Sequence, residues 1–144
     1  MLKYLLKAPD STWAAISPAQ AKAENLKIKY LGTAGFILSD QHRTVVLDPF
    51  ISRPNLWQTF SQPLLSDPVL VKQYIPYADD VLIGHAHYDH ILDAPELCKQ
   101  TGARLIGSQA TLMYGRSAGL SEQQMLETKG WEAIQCGKWQ VVGL

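Results

Sequence analysis

Within six consecutive residues, His85-Ala86-His87-Tyr88-Asp89-His90, the chain places three of its four histidines and one carboxylate. The run directly follows Val81-Leu82-Ile83, a short apolar stretch of the kind that forms a buried strand. Whatever the fold, its chemistry therefore sits at a strand's C-terminal end. In extended chain leaving a strand, residues two apart project to the same side, so His85 and His87 can offer two imidazoles to one cation. Where the chain next turns toward a helix, Asp89 and His90 give a carboxylate and an imidazole for a neighbouring cation.

Imidazole suits zinc, iron and manganese, and a carboxylate tolerates all three, so the ligand set names a transition metal without choosing it. Zinc, as one or two ions, is the expectation for hydrolysis, with manganese and iron as alternatives. A metal lowers the pKa of bound water to about 7, which makes hydroxide available without a protein nucleophile. His42 stands beside Arg43 in a polar stretch with nothing at ligand spacing, and it reads as a solvated turn residue.

The remaining pattern alternates strands with helices, which argues α/β layering. Ser17-Pro18 followed by Ala19 to Glu24 reads as a short capped helix. Leu26, Ile28 and Tyr30 alternate with Lys27 and Lys29, as in a strand with one solvated face. Phe36-Ile37-Leu38 and Val45-Val46-Leu47 flank the turn Ser39 to Arg43, and Asp48-Pro49 stops the second strand. Residues 51–66 read as a surface loop, and Asp67-Pro68 caps a helix to about Ile75. Helices are expected from Asp93 to about Gln100, from Ser108 to Tyr114 and from Ser121 to Leu126, with a strand at Arg104 to Ile106. Trp131 to Leu144 holds two apolar stretches around Cys136-Gly137-Lys138 and carries no terminating signal.

The 144 residues, 47% hydrophobic and 18% charged, suffice for one packed core and not for two independent domains. Thirteen basic residues against thirteen acidic give a net charge of zero, so no broad field draws in nucleic acid or an acidic membrane surface. The apolar run at Met1 to Leu6 is too short for a signal peptide or a membrane span, and a cytoplasmic address is the default expectation. Cys98 and Cys136 lack close-spaced Cys or His partners and read as buried, inert thiols.

The run His85 to His90 resembles the metallo-β-lactamase superfamily signature of two histidines, an aspartate and a third histidine at fixed spacing. Tyr30 to Leu38 and Val45 to Phe50 resemble the opening strands of that superfamily's lactonase-like and phospholipase-D-like branch. The likeness spans residues 26–144 and leaves 1–25 as an N-terminal extension. It implies an α/β fold, the αββα sandwich, truncated here to roughly its N-terminal half. It further implies that His85 and His87 bind a first metal and Asp89 and His90 a second, that Asp89 also handles a proton, and that Asp48 buttresses the metal loop from behind. The implied substrate is a small ester, lactone or phosphodiester.

Members of that family carry three more ligands downstream, a histidine, a bridging aspartate and a final histidine, whereas no histidine follows His90 here. Two catalytic metals need about six protein ligands, and this chain presents four. The chain thus reads as half of a site, inactive alone, with an uncovered inner sheet face that favours self-association. Two other readings stay open: a non-catalytic module holding one ion, and a nucleic-acid-processing hydrolase, which the neutral charge disfavours. Phe50, Trp57 and Phe60 hint at an apolar substrate portion.

Overall fold

β1 (Lys27–Gly32) and β2 (Gly35–Ser39) make a tight antiparallel hairpin, and β2 pairs in turn with β3 (Thr44–Leu47). From β3 onward the sheet is parallel through β4 (Asp80–Leu82), β5 (Arg104–Gly107) and β6 (Met125–Glu127), in the order β1-β2-β3-β4-β5-β6. The computed structural model from which this architecture is read describes residues 26–142, and the helix expected from Ser17 lies outside them. Parallel neighbours need crossovers, and these carry α2 (Pro68–Tyr74), α4 (Ala94–Thr101) and α5 (Gln109–Ser117).

Strand register sorts the side chains into two layers. Val46, Val81 and Leu105 fall on one face and are fully buried beneath Val71, Ile75, Leu97 and Cys98 of the helical segments. Val45, Leu47, Leu82 and Ile106 fall on the other, against Ile134, Cys136, Trp139 and Val141. Those four belong to a second, two-stranded sheet, β7 (Ala133–Cys136) and β8 (Trp139–Val142). Helices, a mixed sheet and the start of a facing sheet are the layers of an αββα sandwich. Each aliphatic side chain so buried contributes about 1.5–3 kcal/mol.

Among the described residues the facing sheet reaches over β3 to β5 and the Leu38 end of β2. Ile28, Tyr30 and Phe36, which share the face of Leu38 and Val45, remain 63%, 62% and 36% exposed, with the Tyr30 and Phe36 rings 5.1 Å apart. The expectation of one solvated side for β1 needs correcting, because Lys27 to Tyr30 are exposed throughout and the strand is first buried at Leu31.

Two further expectations change. The 51–66 segment contains α1 (Leu56–Ser61), started by a reciprocal cap in which the Asn55 side chain accepts from the Gln58 N–H and the Gln58 side chain from the Asn55 N–H. The segment from Ser121 is a single 3-10 turn, Glu122–Gln124, and then β6, because Met125 and Leu126 take up parallel pairing beside Leu105 and Ile106. The remaining strands and helices fall where the pattern places them, and Trp131 to Val142 resolves into the β7–β8 hairpin around Gly137. Among the described residues no helix is long and apolar enough to cross a membrane.

At the N-terminal ends of the parallel strands a buried charge holds the layers together. Asp80, wholly buried, accepts from Arg43 and Arg104, each at 2.7 Å. Arg104 also donates to the Gln135 carbonyl at 3.0 Å, and the Trp139 indole N–H to Asp40 at 2.9 Å, which fastens the β7–β8 hairpin to the main sheet.

Candidate metal centre

The chain leaves β4 at Leu82 with its direction set by two backbone bonds, Ile83 N–H to the Ile106 carbonyl at 2.9 Å and Asp48 N–H to the Leu82 carbonyl at 3.0 Å. It then runs extended through Gly84 to His87 and enters α3 (Tyr88–Ile91). His87 is the N-cap of that helix, yet its side chain makes no capping bond, which leaves both imidazole nitrogens available to a ligand. Extended backbone before the cap and one helical turn after it bring residues 85, 87, 89 and 90 round a common point.

One ligand atom each from His85, His87 and Asp89 lies within 4.8 Å of the others, a spacing that could hold one metal ion. The His85 ring stands 4.5 Å from that of His87 and 3.8 Å from that of His90, centroid to centroid. His85 and His87 are exposed, so the group opens to solvent, while the His90 side chain is 13% exposed. His90 Nε2 faces Asp89, 3.7 Å from its carboxylate, and the pair extends the three-residue group on one side. Two imidazoles, a carboxylate and an adjacent third imidazole are the donor chemistry that a divalent transition metal requires, and the residues fit such an ion.

Asp48 stands behind this group. Its Oδ1 accepts the Gly84 N–H at 2.7 Å, and its Oδ2 lies 3.0 Å from the buried His90 Nδ1. That contact is poorly aligned as a hydrogen bond, and His90 Nδ1 is left buried with no well-directed partner. A carboxylate at Nδ1 fixes the tautomer that presents Nε2 outward. To reach both partners Asp48 adopts φ 41°, a left-handed conformation uncommon outside glycine. A Cβ at Gly84 would meet Asp48 Oδ2 at 3.2 Å, close enough that the carboxylate would have to shift by a few tenths of an ångström.

All five residues singled out from the sequence, His85, His87, Asp89, His90 and Asp48, are thus brought together. His42 lies apart in the exposed turn before β3, its backbone N–H bonded to Asp40. Of the loop aromatics, Phe50 meets Tyr88 edge-on at 5.9 Å beside the group, whereas Trp57 and Phe60 are exposed on α1. Sequence reasoning missed Tyr88 as Phe50's partner, and it missed Asp93, which read only as the start of a helix.

A model of the β-lactamase superfamily domain matches residues 43–141. Among curated proteins, a metal-dependent hydrolase of Methanopyrus kandleri is 31% identical over 120 residues, which cover 79% of this chain and 47% of the other. A metal-dependent hydrolase of Pyrobaculum islandicum is 33% identical over 112 residues, covering 78% of this chain and 45% of the other. The chain spans about half the length of these curated relatives. Among solved structures, a metallo hydrolase from the hyperthermophilic archaeon Ignicoccus hospitalis aligns with TM-score 0.54 at 22% identity, over 76% of this chain and 42% of that one. CmlA, a diiron β-hydroxylase from Streptomyces venezuelae, aligns with TM-score 0.57 at 20% identity, over 83% of this chain and 23% of that one. At such identities the likeness concerns the fold alone.

Proposed function

The chain belongs to the β-lactamase superfamily, and from that premise we propose that it supplies half of a metal-dependent hydrolase centre acting on a small ester, lactone or phosphodiester. The observation that carries this reading is the convergence of His85, His87 and Asp89 within 4.8 Å at the mouth of a parallel strand, with His90 beside them and Asp48 3.0 Å from its Nδ1. His85 and His87 would hold a first zinc ion, and Asp89 with His90 a second. When bound, zinc supplies a water acidified to a pKa of about 7 and a Lewis acid for the scissile group.

The chain's own residues do the rest. Asp48 orients His90 and keeps the 84–90 loop on β4. Asp89 would also take up and return a proton during turnover. Phe50 and Tyr88 offer an apolar wall for the non-reacting part of the substrate. With four of the roughly six ligands that a dinuclear centre needs, the chain alone binds metal and turns over poorly. That same count favours a second reading, a module that holds a single ion without catalysis.

Metal content of the purified chain, compared with the double variant His85→Ala/His87→Ala, tests the proposal. About one or two equivalents of zinc are expected in the wild type and none in the variant. Chromogenic ester, lactone and phosphodiester probes, offered to the zinc-loaded chain, then separate the two readings: any turnover abolished by the double variant favours the hydrolase. A folded wild type that takes up no zinc refutes both.

A further inference from the structure

We propose that Asp93 is a positioning residue that locks the metal-loop helix α3 and the 51–67 excursion into one register, a role that rests on the metal-centre reading above. Asp93 is wholly buried. It stands at the N-cap of α4, but its side chain makes no bond to that helix. Its Oδ2 instead accepts the backbone N–H groups of Ile51 and Ser52 at 2.5 and 2.8 Å, and its Oδ1 accepts the hydroxyls of Ser52 and Ser66, each at 2.5 Å. The Ser52 hydroxyl oxygen in turn accepts the Asp67 N–H at 2.6 Å. A buried carboxylate with four donors has its charge met in full, and charge-assisted bonds of this kind are among the strongest a neutral donor makes.

These donors come from both ends of one excursion, Ile51 and Ser52 where it departs and Ser66 where it returns. Its departure point lies just after Asp48, whose carboxylate has to meet His90. The other side of the lock lies just after α3, whose last residue is Ile91. A helix of four residues cannot hold its own geometry in water, so the direction in which α3 presents Asp89 and His90 is imposed by its attachments. Asp93 joins the segment leaving Asp48 to the segment leaving His90, and Phe50 against Tyr88 supports the same junction. Any slip between the two segments would separate Asp48 from His90.

The test compares wild type, Asp93→Ala and Asp93→Asn in the full chain by thermal unfolding, by zinc affinity in competition with a chromophoric chelator, and by amide hydrogen exchange of the metal-free protein. Asp93→Ala is expected to unfold cooperatively, to bind zinc about 10–100-fold more weakly, and to exchange faster over residues 50–67 and over 85–92. Asp93→Asn keeps an acceptor for the two backbone amides while the serine hydroxyls reverse, and it is expected to recover most of both losses. Should Asp93→Ala not fold, Ser52→Ala/Ser66→Ala removes the two hydroxyl bonds to Asp93, together with the acceptor of the Asp67 N–H, keeps the two backbone bonds to the carboxylate, and is expected to shift both readouts in the same direction. Faster exchange confined to 50–67 with unchanged zinc affinity overturns the proposal, since Asp93 then anchors only the excursion. If the wild type binds no zinc, the metal reading fails by itself, and unchanged protection of 85–92 in Asp93→Ala separately overturns the lock.

Discussion

At the residue scale, Asp48 holds a constrained position: a left-handed backbone, which it shares with Thr33, Arg53 and Trp131 among the described residues, costs about 1–3 kcal/mol outside glycine and persists only where the surroundings impose it. One carboxylate oxygen accepts from Gly84 and the other faces His90 Nδ1 at 3.0 Å, so Asp48→Asn replaces one of them by a donor and is expected to weaken zinc binding about 10–100-fold in a competition titration. An unchanged affinity would remove Asp48 from the centre. The two thiols offer a prediction with a pH sign. Burial first, and then the charge of Asp80, raises Cys98 from 9.0 to about 12 and Cys136 from 9.0 to about 11. The folded state thus favours the neutral thiol, and the stability it carries is complete below pH 9 and lost as pH climbs from 9 through 11 toward 12. Urea midpoints are expected to fall across that range, with less of a fall in Cys98→Ala, and both thiols should resist Ellman's reagent at neutral pH until the protein is unfolded. The metal group was legible in the sequence because His85, His87, Asp89 and His90 fall within six residues. Asp93 and Asp80 were not, because their partners lie far away along the chain, at Ile51, Ser52 and Ser66 for the one and at Arg43 and Arg104 for the other.

At the element scale, periodicity found the buried strands and the longer helices, and it failed where an element owes its form to a neighbour. β6 has three residues and exists because β5 offers it an unpaired edge, so no run of apolar residues announces it. α1 buries no residue, and its only sequence signal is the Asn55 to Gln58 capping spacing. The opposite ends of the parallel strands do different things: the C-terminal ends of β3 and β4 lead to Asp48 and to the histidines, and the N-terminal ends of β3, β4 and β5 carry Arg43, Asp80 and Arg104. Removing one partner of a buried ion pair costs about 3–5 kcal/mol because the remaining charge is left uncompensated. Asp80→Ala is therefore expected to lower unfolding free energy by about that amount in urea while leaving zinc stoichiometry unchanged. A change in stoichiometry would show that the two strand ends are not independent.

At the scale of the whole molecule, the sandwich was legible through the signature at 85–90, while the reach of its second layer was not, since a two-stranded sheet covers only the part of the face that Trp139, Val141, Ile134 and Cys136 touch. Ile28, Tyr30 and Phe36 stay bare beside it, and contiguous exposed apolar surface drives association. Light scattering on the purified chain is expected to give a mass that rises with concentration, and Ile28→Lys/Phe36→Lys is expected to suppress the rise; a wild-type mass fixed at one chain would refute self-association. Strand order in the six-stranded sheet repeats the order of the sequence, β1 beside β2, β2 beside β3, and so to β6. In this sheet each strand therefore pairs with its neighbours along the chain, each pairing closes a single connection, and the longest of these is the 48–79 segment that carries Asp48 and the donors to Asp93.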